Sequence, residues 1–239
     1  LAAAFRLDGP HEGVDMSARV LVITSNHGDL GGKPNGTYLP ELTHALHVLE
    51  NAGLDYDLAS PRGGEIPGYG HDADELTRTM LASPTFAARL RSTLRLAEVD
   101  PSAYAAVFFP GGYGLLFDLT EDADSQRLTA SFFERGAPVA AVCHGPAALS
   151  RVRRADGTSI LAGRDVTGFT REEEVAMQTL DVIPFVLEER MLEVGAVYRK
   201  KAAWQVLIVE DGNLITGQNP ASAAGVGEAL VRALAQRAG

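Results

Sequence analysis

Ala137-Pro138-Val139-Ala140-Ala141-Val142-Cys143-His144-Gly145-Pro146 is the stretch on which the fold turns. Small and β-branched apolar residues lead into Cys143, and Gly-Pro with a helix-compatible stretch follows. A continuous apolar run suits a parallel strand covered on both faces. The segment therefore reads as strand, sharp turn, helix, with a thiol at the turn. That arrangement is similar to a nucleophile elbow, where a tight turn exposes the reactive atom and glycine relieves crowding. A thiol at a helix N-terminus feels the positive end of the dipole, so Cys143 is expected to ionise well below the ~8.5 of a free cysteine. His144 can supply a base or a further positive charge. A lone cysteine can equally be a small buried hydrophobe.

Outward from the elbow, strand and helix alternate. Val20-Leu21-Val22-Ile23-Thr24 reads as a buried strand, Ser25 to Thr37 as a Gly-rich loop, and Leu39 to Ala52 as a helix stopped by Gly53. Tyr56–Ala59 is a second strand and Ala105–Phe109 a third. Between them residues 65–100 form an insertion with helices expected over Asp72–Leu81 and Pro84–Leu96. A helix over Asp122–Arg135 precedes the elbow. After it come a short strand at Asp165–Thr167, helices at Glu172–Met177 and Phe185–Val194, and a hairpin of Trp204–Val209 with Leu214–Thr216 around Asp211-Gly212-Asn213. A helix over Pro220–Gln236 closes the chain. The alternation predicts a three-layer α/β/α sandwich with a mostly parallel sheet, whose site lies at the carboxyl ends of the strands. Leu1 to Asp15 show no clear period, and are expected to be an extension or an expression remnant. Residues 16–239 are expected to form a single domain.

Composition narrows the function. Hydrophobic residues make up 46% of 239, enough for a sizeable core, and the single cysteine excludes an internal disulfide or a multi-cysteine metal site. A net charge of -10 disfavours nucleic acid and anionic membranes as partners. With no apolar run of membrane-spanning length and no signal-peptide pattern, a cytoplasmic location is expected.

Two more segments point at the thiol. Pro110-Gly111-Gly112-Tyr113-Gly114 follows a strand, and glycines there let backbone N–H groups approach a ligand, as an oxyanion hole needs. A plain strand-to-helix turn would look the same. In Gly168-Phe169-Thr170-Arg171-Glu172-Glu173-Glu174, a carboxylate could fix the tautomer of a catalytic histidine, or the acids could simply complement a helix dipole.

Together these segments resemble the DJ-1/PfpI superfamily, and within it the Hsp31-like branch of glutathione-independent glyoxalases. Val142–Pro146 matches the family elbow, and Pro110–Gly114 with Phe117-Asp118-Leu119 matches the loop beside it. Val166–Thr170 followed by acids matches the third segment, and Thr216–Ser222 the motif opening the last helix. The resemblance spans residues 19 to 235 and implies a flavodoxin-like fold, similar to the class I glutamine amidotransferases. It implies Cys143 as nucleophile, His144 as its partner, and Glu174 as the third member, with Glu173 the rival one position away. Glu41 carries over as a carboxyl held protonated against the cysteine sulfur, as burial beside a thiolate would favour. Gly111, Gly112 and Tyr113 carry over as the oxyanion and substrate loop, although many Hsp31-like sequences have histidine at the position of Tyr113. The implied activity converts methylglyoxal or glyoxal to lactate or glycolate through a cysteine hemithioacetal, with no metal and no cofactor, in a homodimer. A holdase or redox-sensing stress protein and a cysteine peptidase or amidase are the alternatives. Glutamine amidotransferases take their histidine from far downstream of the cysteine. The six histidines here are His11, His27, His44, His47, His71 and His144, and none follows His144.

Overall fold

A computed structural model describes residues 18–238, so the expectation for residues 1–15 lies outside the described residues. Seven strands form the main sheet: β1 (Arg19–Ile23), β2 (Asp55–Ser60), β3 (Leu94–Arg95), β4 (Ala106–Phe109), β5 (Val139–Val142), β6 (Ile208–Asp211) and β7 (Leu214–Gly217). Their order is β6-β7-β5-β4-β1-β2-β3. Neighbours are parallel except β6 and β7, which form the expected hairpin. Every residue of β4 and β5 is buried. Successive strand residues alternate between faces, so both faces of the sheet centre are covered. Helices α1 (Leu39–Asn51) and α8 (Ala223–Ala238) pack on each other, with α8 against β5 and β7, α5 (Ala123–Glu134) packs on β4 and β5, and the short α7 (Leu187–Glu193) packs on the turn after β5. The three-layer α/β/α architecture is as expected.

Three local readings are corrected. The expected helix over Pro84–Leu96 is α3 (Pro84–Arg91), because Thr93 exchanges backbone hydrogen bonds with Gly64 and Leu94–Arg95 pairs with β2 as an edge strand. The insertion, which also holds α2 (Glu75–Ala82), is therefore not purely helical. The first hairpin arm begins at Ile208 rather than Trp204, since side chains take backbone donors ahead of it: Trp204 N–H donates to Glu173 and Leu207 N–H to Ser222. After the elbow the chain forms a five-residue 3₁₀ turn, Gly145–Leu149, instead of a longer helix.

Register gathers the site. Phe109 pairs with Ala141 and Gly217 with Val142, so β4, β5 and β7 end together. Gly111, Cys143 and Gln218 leave those ends side by side, where open parallel sheets place their ligands. Asp118, just after α4 (Gly114–Phe117), accepts from Ser25 Oγ (2.9 Å), Asn26 N (2.8 Å) and His27 N (3.1 Å). That ties down the loop following β1, which leads to Tyr38 and Glu41.

Candidate active site

Cys143 has φ 58°, left-handed backbone for a residue with a Cβ. Such a conformation costs about 1–3 kcal/mol and persists only where the surroundings over-determine it. Here the Cys143 N–H donates to Gly217 O and its carbonyl accepts from Phe169 N–H, both at 2.9 Å. Position 145 must be glycine, since a methyl group there would lie 2.5 Å from Phe109 O. The elbow turns Cys143 Sγ toward His144 Nδ1 at 3.4 Å, and His144 Nε2 lies 2.7 Å from Glu174 Oε1. With Nε2–H donated to Glu174, Nδ1 is left as an acceptor facing the thiol. The imidazole is held between the rings of Tyr113 and Phe169, at centroid distances of 4.4 and 4.6 Å.

The two adjacent acids on α6 (Arg171–Met177) diverge, as neighbours about 100° apart on a helix must. Glu174 faces His144, and its other oxygen accepts from Thr179 Oγ1, which in turn accepts from the Tyr113 hydroxyl at 3.3 Å. Glu173 points the other way. One of its oxygens accepts from Trp204 N (2.9 Å), Gln218 Nε2 (3.2 Å) and Asn219 Nδ2 (2.8 Å). The other accepts from Thr170 N (2.9 Å) and Thr170 Oγ1 (3.0 Å). Glu173 is thus a buried bracket joining α6, the Trp204 loop and the segment after β7.

Glu41 comes up from the first turn of α1 and is fully buried. A methyl group on Gly111 would lie 2.0 Å from Glu41 Oε2 and 2.6 Å from Cys143 Cβ, so only a glycine fits between carboxyl and nucleophile. Among the described residues neither Glu41 oxygen has a hydrogen-bond partner. Burial pushes the carboxyl up to about 8, which keeps it protonated at neutral pH. The expected low Cys143 ionisation is not met. The residue is 4% exposed, and burial, with the Glu41 charge adding once that group ionises, pushes the thiol up. The 3₁₀ turn behind it, at five residues, is too short to offset this. Gly112, at φ +119°, packs its Cα against Gly36 O and Tyr38 N. Among the described residues the amides of Gly112 and His144 are bonded to no other backbone carbonyl.

These groups open into a cavity of about 150 Å³ walled by Tyr38, Tyr69, Tyr113, Phe169, Met177 and Trp204, with Cys143 and His144 at its base. Among the described residues no lysine or arginine lines it. A larger, open groove of about 380 Å³ near Tyr104 and Arg135 lies at the opposite, amino end of the strands and holds none of these groups. The structure brings together Cys143, His144, Glu174, Glu41, Gly111, Gly112 and Tyr113. Sequence reasoning missed Tyr38, Tyr69, Thr179 and Trp204. Tyr38, three residues before Glu41, and Trp204, at the head of the expected hairpin arm, lay in segments whose pattern was already informative.

Among the described residues no group of three or more His, Cys, Asp or Glu side chains is placed to hold a metal ion, and no helix is long and apolar enough to cross a membrane. A mostly parallel α/β sheet with a cysteine elbow, a histidine and a carboxylate at its strand ends defines a flavodoxin-like protein with a candidate thiol nucleophile. The DJ-1/PfpI family profile matches residues 34–233, and the chain belongs to the DJ-1/PfpI family. It is 28% identical to Glyoxalase 3 of Candida albicans, over 84% of this chain and 91% of that protein. It is 32% identical to the putative glutathione-independent glyoxalase hsp3105 of Schizosaccharomyces pombe, covering 85% and 86% of the two chains. The crystal structure of glyoxalase III from Candida albicans superposes with a TM-score of 0.80 at 26% identity, covering 91% of this chain and 98% of that one.

Proposed function

We propose that the protein is a glutathione-independent glyoxalase that converts methylglyoxal to lactate and glyoxal to glycolate. The observation that carries this reading is the buried Cys143–His144–Glu174 chain at the base of a small, cation-free cavity. At about 150 Å³ the cavity lies well below the ~300–1,000 Å³ of drug-sized sites, which suits a few-atom carbonyl compound and not a peptide. The relatives named as glyoxalases support the same substrate class.

His144 Nδ1 takes the thiol proton as sulfur attacks the aldehyde carbon, giving a hemithioacetal. The Gly112 and His144 amides meet the developing oxyanion. His144 passes the thiol proton to the hemithioacetal oxygen and, neutral again, removes the proton from the former aldehyde carbon to give an enediol, then returns it to the neighbouring carbon; Glu41 can take this role only in its ionised form. The aldehyde carbon is thereby oxidised to a thioester and the ketone carbon reduced to an alcohol. Water hydrolyses the thioester, so methylglyoxal plus water balances lactate. A redox-sensing role has less support, because a 4% exposed thiol is poorly placed for oxidants. A cytoplasmic homodimer is the proposed setting, and sedimentation of the purified protein checks the assembly. The test of function is lactate production from methylglyoxal with no glutathione present, compared between wild type and Cys143→Ala.

Two further outcomes follow from the burial of Glu41 beside Gly111 and Cys143. Gly111→Ala should reduce activity at least about 100-fold, because displacing the carboxyl or sulfur by even 1 Å costs that much. Steady-state kinetics on folded protein checks it. Glu41 also links stability to pH. Its folded value of about 8 lies above the unfolded 4.5, so its contribution is fully present below pH 4.5 and is lost as pH rises through about 8. Glu41→Gln removes this dependence. The melting temperature of Glu41→Gln minus that of wild type should rise by at least about 5 °C between pH 5 and pH 8. A constant difference would mean that Glu41 is ionised throughout.

A further inference from the structure

Two tyrosines stand beside the thiol with their hydroxyls unused. The segment leading to α1 and the start of the insertion meet as a two-stranded parallel pair, Thr37–Tyr38 with Gly68–Tyr69, in which Tyr38 is registered with Tyr69. Residues paired in register lie on one face, and the two rings are 4.9 Å apart. Gly70, at φ +82°, lets the insertion close over Tyr38, since a methyl group there would lie 2.5 Å from the Tyr38 ring. Both tyrosines line the cavity that holds Cys143. Among the described residues neither hydroxyl makes a hydrogen bond to another protein group, whereas the third tyrosine of the cavity, Tyr113, donates to Thr179. Both rings are partly exposed, and with no protein acceptor engaged their hydroxyls are free to donate to a ligand in the cavity. Burial raises both phenols, and negative charge at Cys143 and Glu41 raises them further, so both remain O–H donors.

We propose that Tyr38 and Tyr69 bind the second carbonyl oxygen of a vicinal dicarbonyl, so that the site selects uncharged 1,2-dicarbonyl compounds over monocarbonyls and carboxylate-bearing ones. The inference deepens the proposed glyoxalase reading. Once sulfur has attacked the first carbon, that carbon's oxygen faces the backbone amides. The oxygen on the second carbon needs its own donors, more so in the enediol, where negative charge spreads over both oxygens. Tyr38 and Tyr69, both in the cavity wall, are placed to donate to it. The charge selection comes from the same wall. Nearby cations are engaged elsewhere, Lys200 with Glu172 (2.9 Å) and Glu188 (2.7 Å), and Lys201 with Val206 O (3.1 Å). Among the described residues no lysine or arginine lines the cavity, so a carboxylate ligand would lose its hydration there with no cation to offset the loss.

Trp204 is the sole tryptophan and lines the cavity, so its fluorescence reports binding without turnover. In Cys143→Ala protein, titrations with 2,3-butanedione, 2-butanone and pyruvate should show saturable quenching by the dione at least about 10-fold tighter than by the monoketone or by pyruvate. Adding Tyr38→Phe and Tyr69→Phe keeps both rings and should bring the dione down to the level of the monoketone. Equal affinity for dione and monoketone, no saturable quenching by the dione, or a dione affinity unchanged by the two phenylalanines would overturn the clamp. Pyruvate binding as tightly as the dione would overturn the charge selection. The assay is independent of catalysis, so failure of the lactate test alone would remove the glyoxalase reading and leave these results standing.

Discussion

Cys143→Ala should abolish lactate formation from methylglyoxal, a loss of at least about 10⁴-fold in kcat, equivalent to ~5.5 kcal/mol of transition-state stabilisation. The size follows from the site's construction. The chain has no other thiol. In the proposed reaction His144, held by Glu174, takes the proton from Cys143 Sγ, and with sulfur gone it has nothing to deprotonate. Without the covalent step the remaining groups can polarise a carbonyl, but no hemithioacetal or thioester can form. The fold should survive. The bonds that hold the elbow are made by the Cys143 backbone to Gly217 and Phe169, and alanine keeps both. Near-UV circular dichroism of the variant should therefore overlay wild type, while a glutathione-free lactate assay in metal-stripped buffer reads zero. Activity above about 1% of wild type in folded Cys143→Ala would exclude a cysteine nucleophile.

How much of this was legible in the sequence depends on whether the signal was local. The elbow was legible because strand, turn and glycine are consecutive, and the strand's uniform apolarity reports burial on two faces. The layered architecture with a mostly parallel sheet followed from alternating strands and helices. What composition could not give was burial at a point. The low ionisation expected for Cys143 rested on a helix dipole, with a protonated Glu41 donating to the sulfur. The chain instead makes a 3₁₀ turn and buries the sulfur beside Glu41, and desolvation outweighs a weak dipole. Tyr69 was illegible for another reason. It sits in the insertion, between a Gly-rich turn and α2, in a two-residue strand with no periodicity to read. Its place beside the thiol exists only through pairing with Tyr38, a long-range contact. Thr179 reaches Glu174 because Gln178, at φ 58°, ends α6 in a left-handed turn, and a lone glutamine gives little warning of that.

Glu174→Gln and Glu173→Gln should separate activity from stability, although the residues are adjacent and both fully buried. Glu174 accepts from His144 Nε2, which leaves Nδ1 free to receive the thiol proton. A glutamine there either opposes its own N–H₂ to the Nε2–H or forces the other tautomer, in which Nδ1 carries a hydrogen and cannot act as base. Loss of a tautomer-fixing carboxylate costs up to about 10⁴-fold in rate, so a fall in kcat of at least about 100-fold is expected. Glu173 accepts five hydrogen bonds from Thr170, Trp204, Gln218 and Asn219. A glutamine cannot satisfy five donors, because one of its two ends is itself a donor. The unmet buried N–H groups should cost about 2–3 kcal/mol, or ~5–10 °C in melting temperature for a chain of this size. Below that temperature, Glu173→Gln should keep kcat within about 3-fold of wild type while KM rises, since the Trp204 loop it anchors walls the cavity. Kinetics and thermal melts on the two variants check both halves. If Glu173→Gln lost kcat at an unchanged melting temperature while Glu174→Gln turned over normally, the carboxylate serving His144 would have to be Glu173, and the hydrogen-bonded chain from Cys143 to Glu174 would play no part in catalysis.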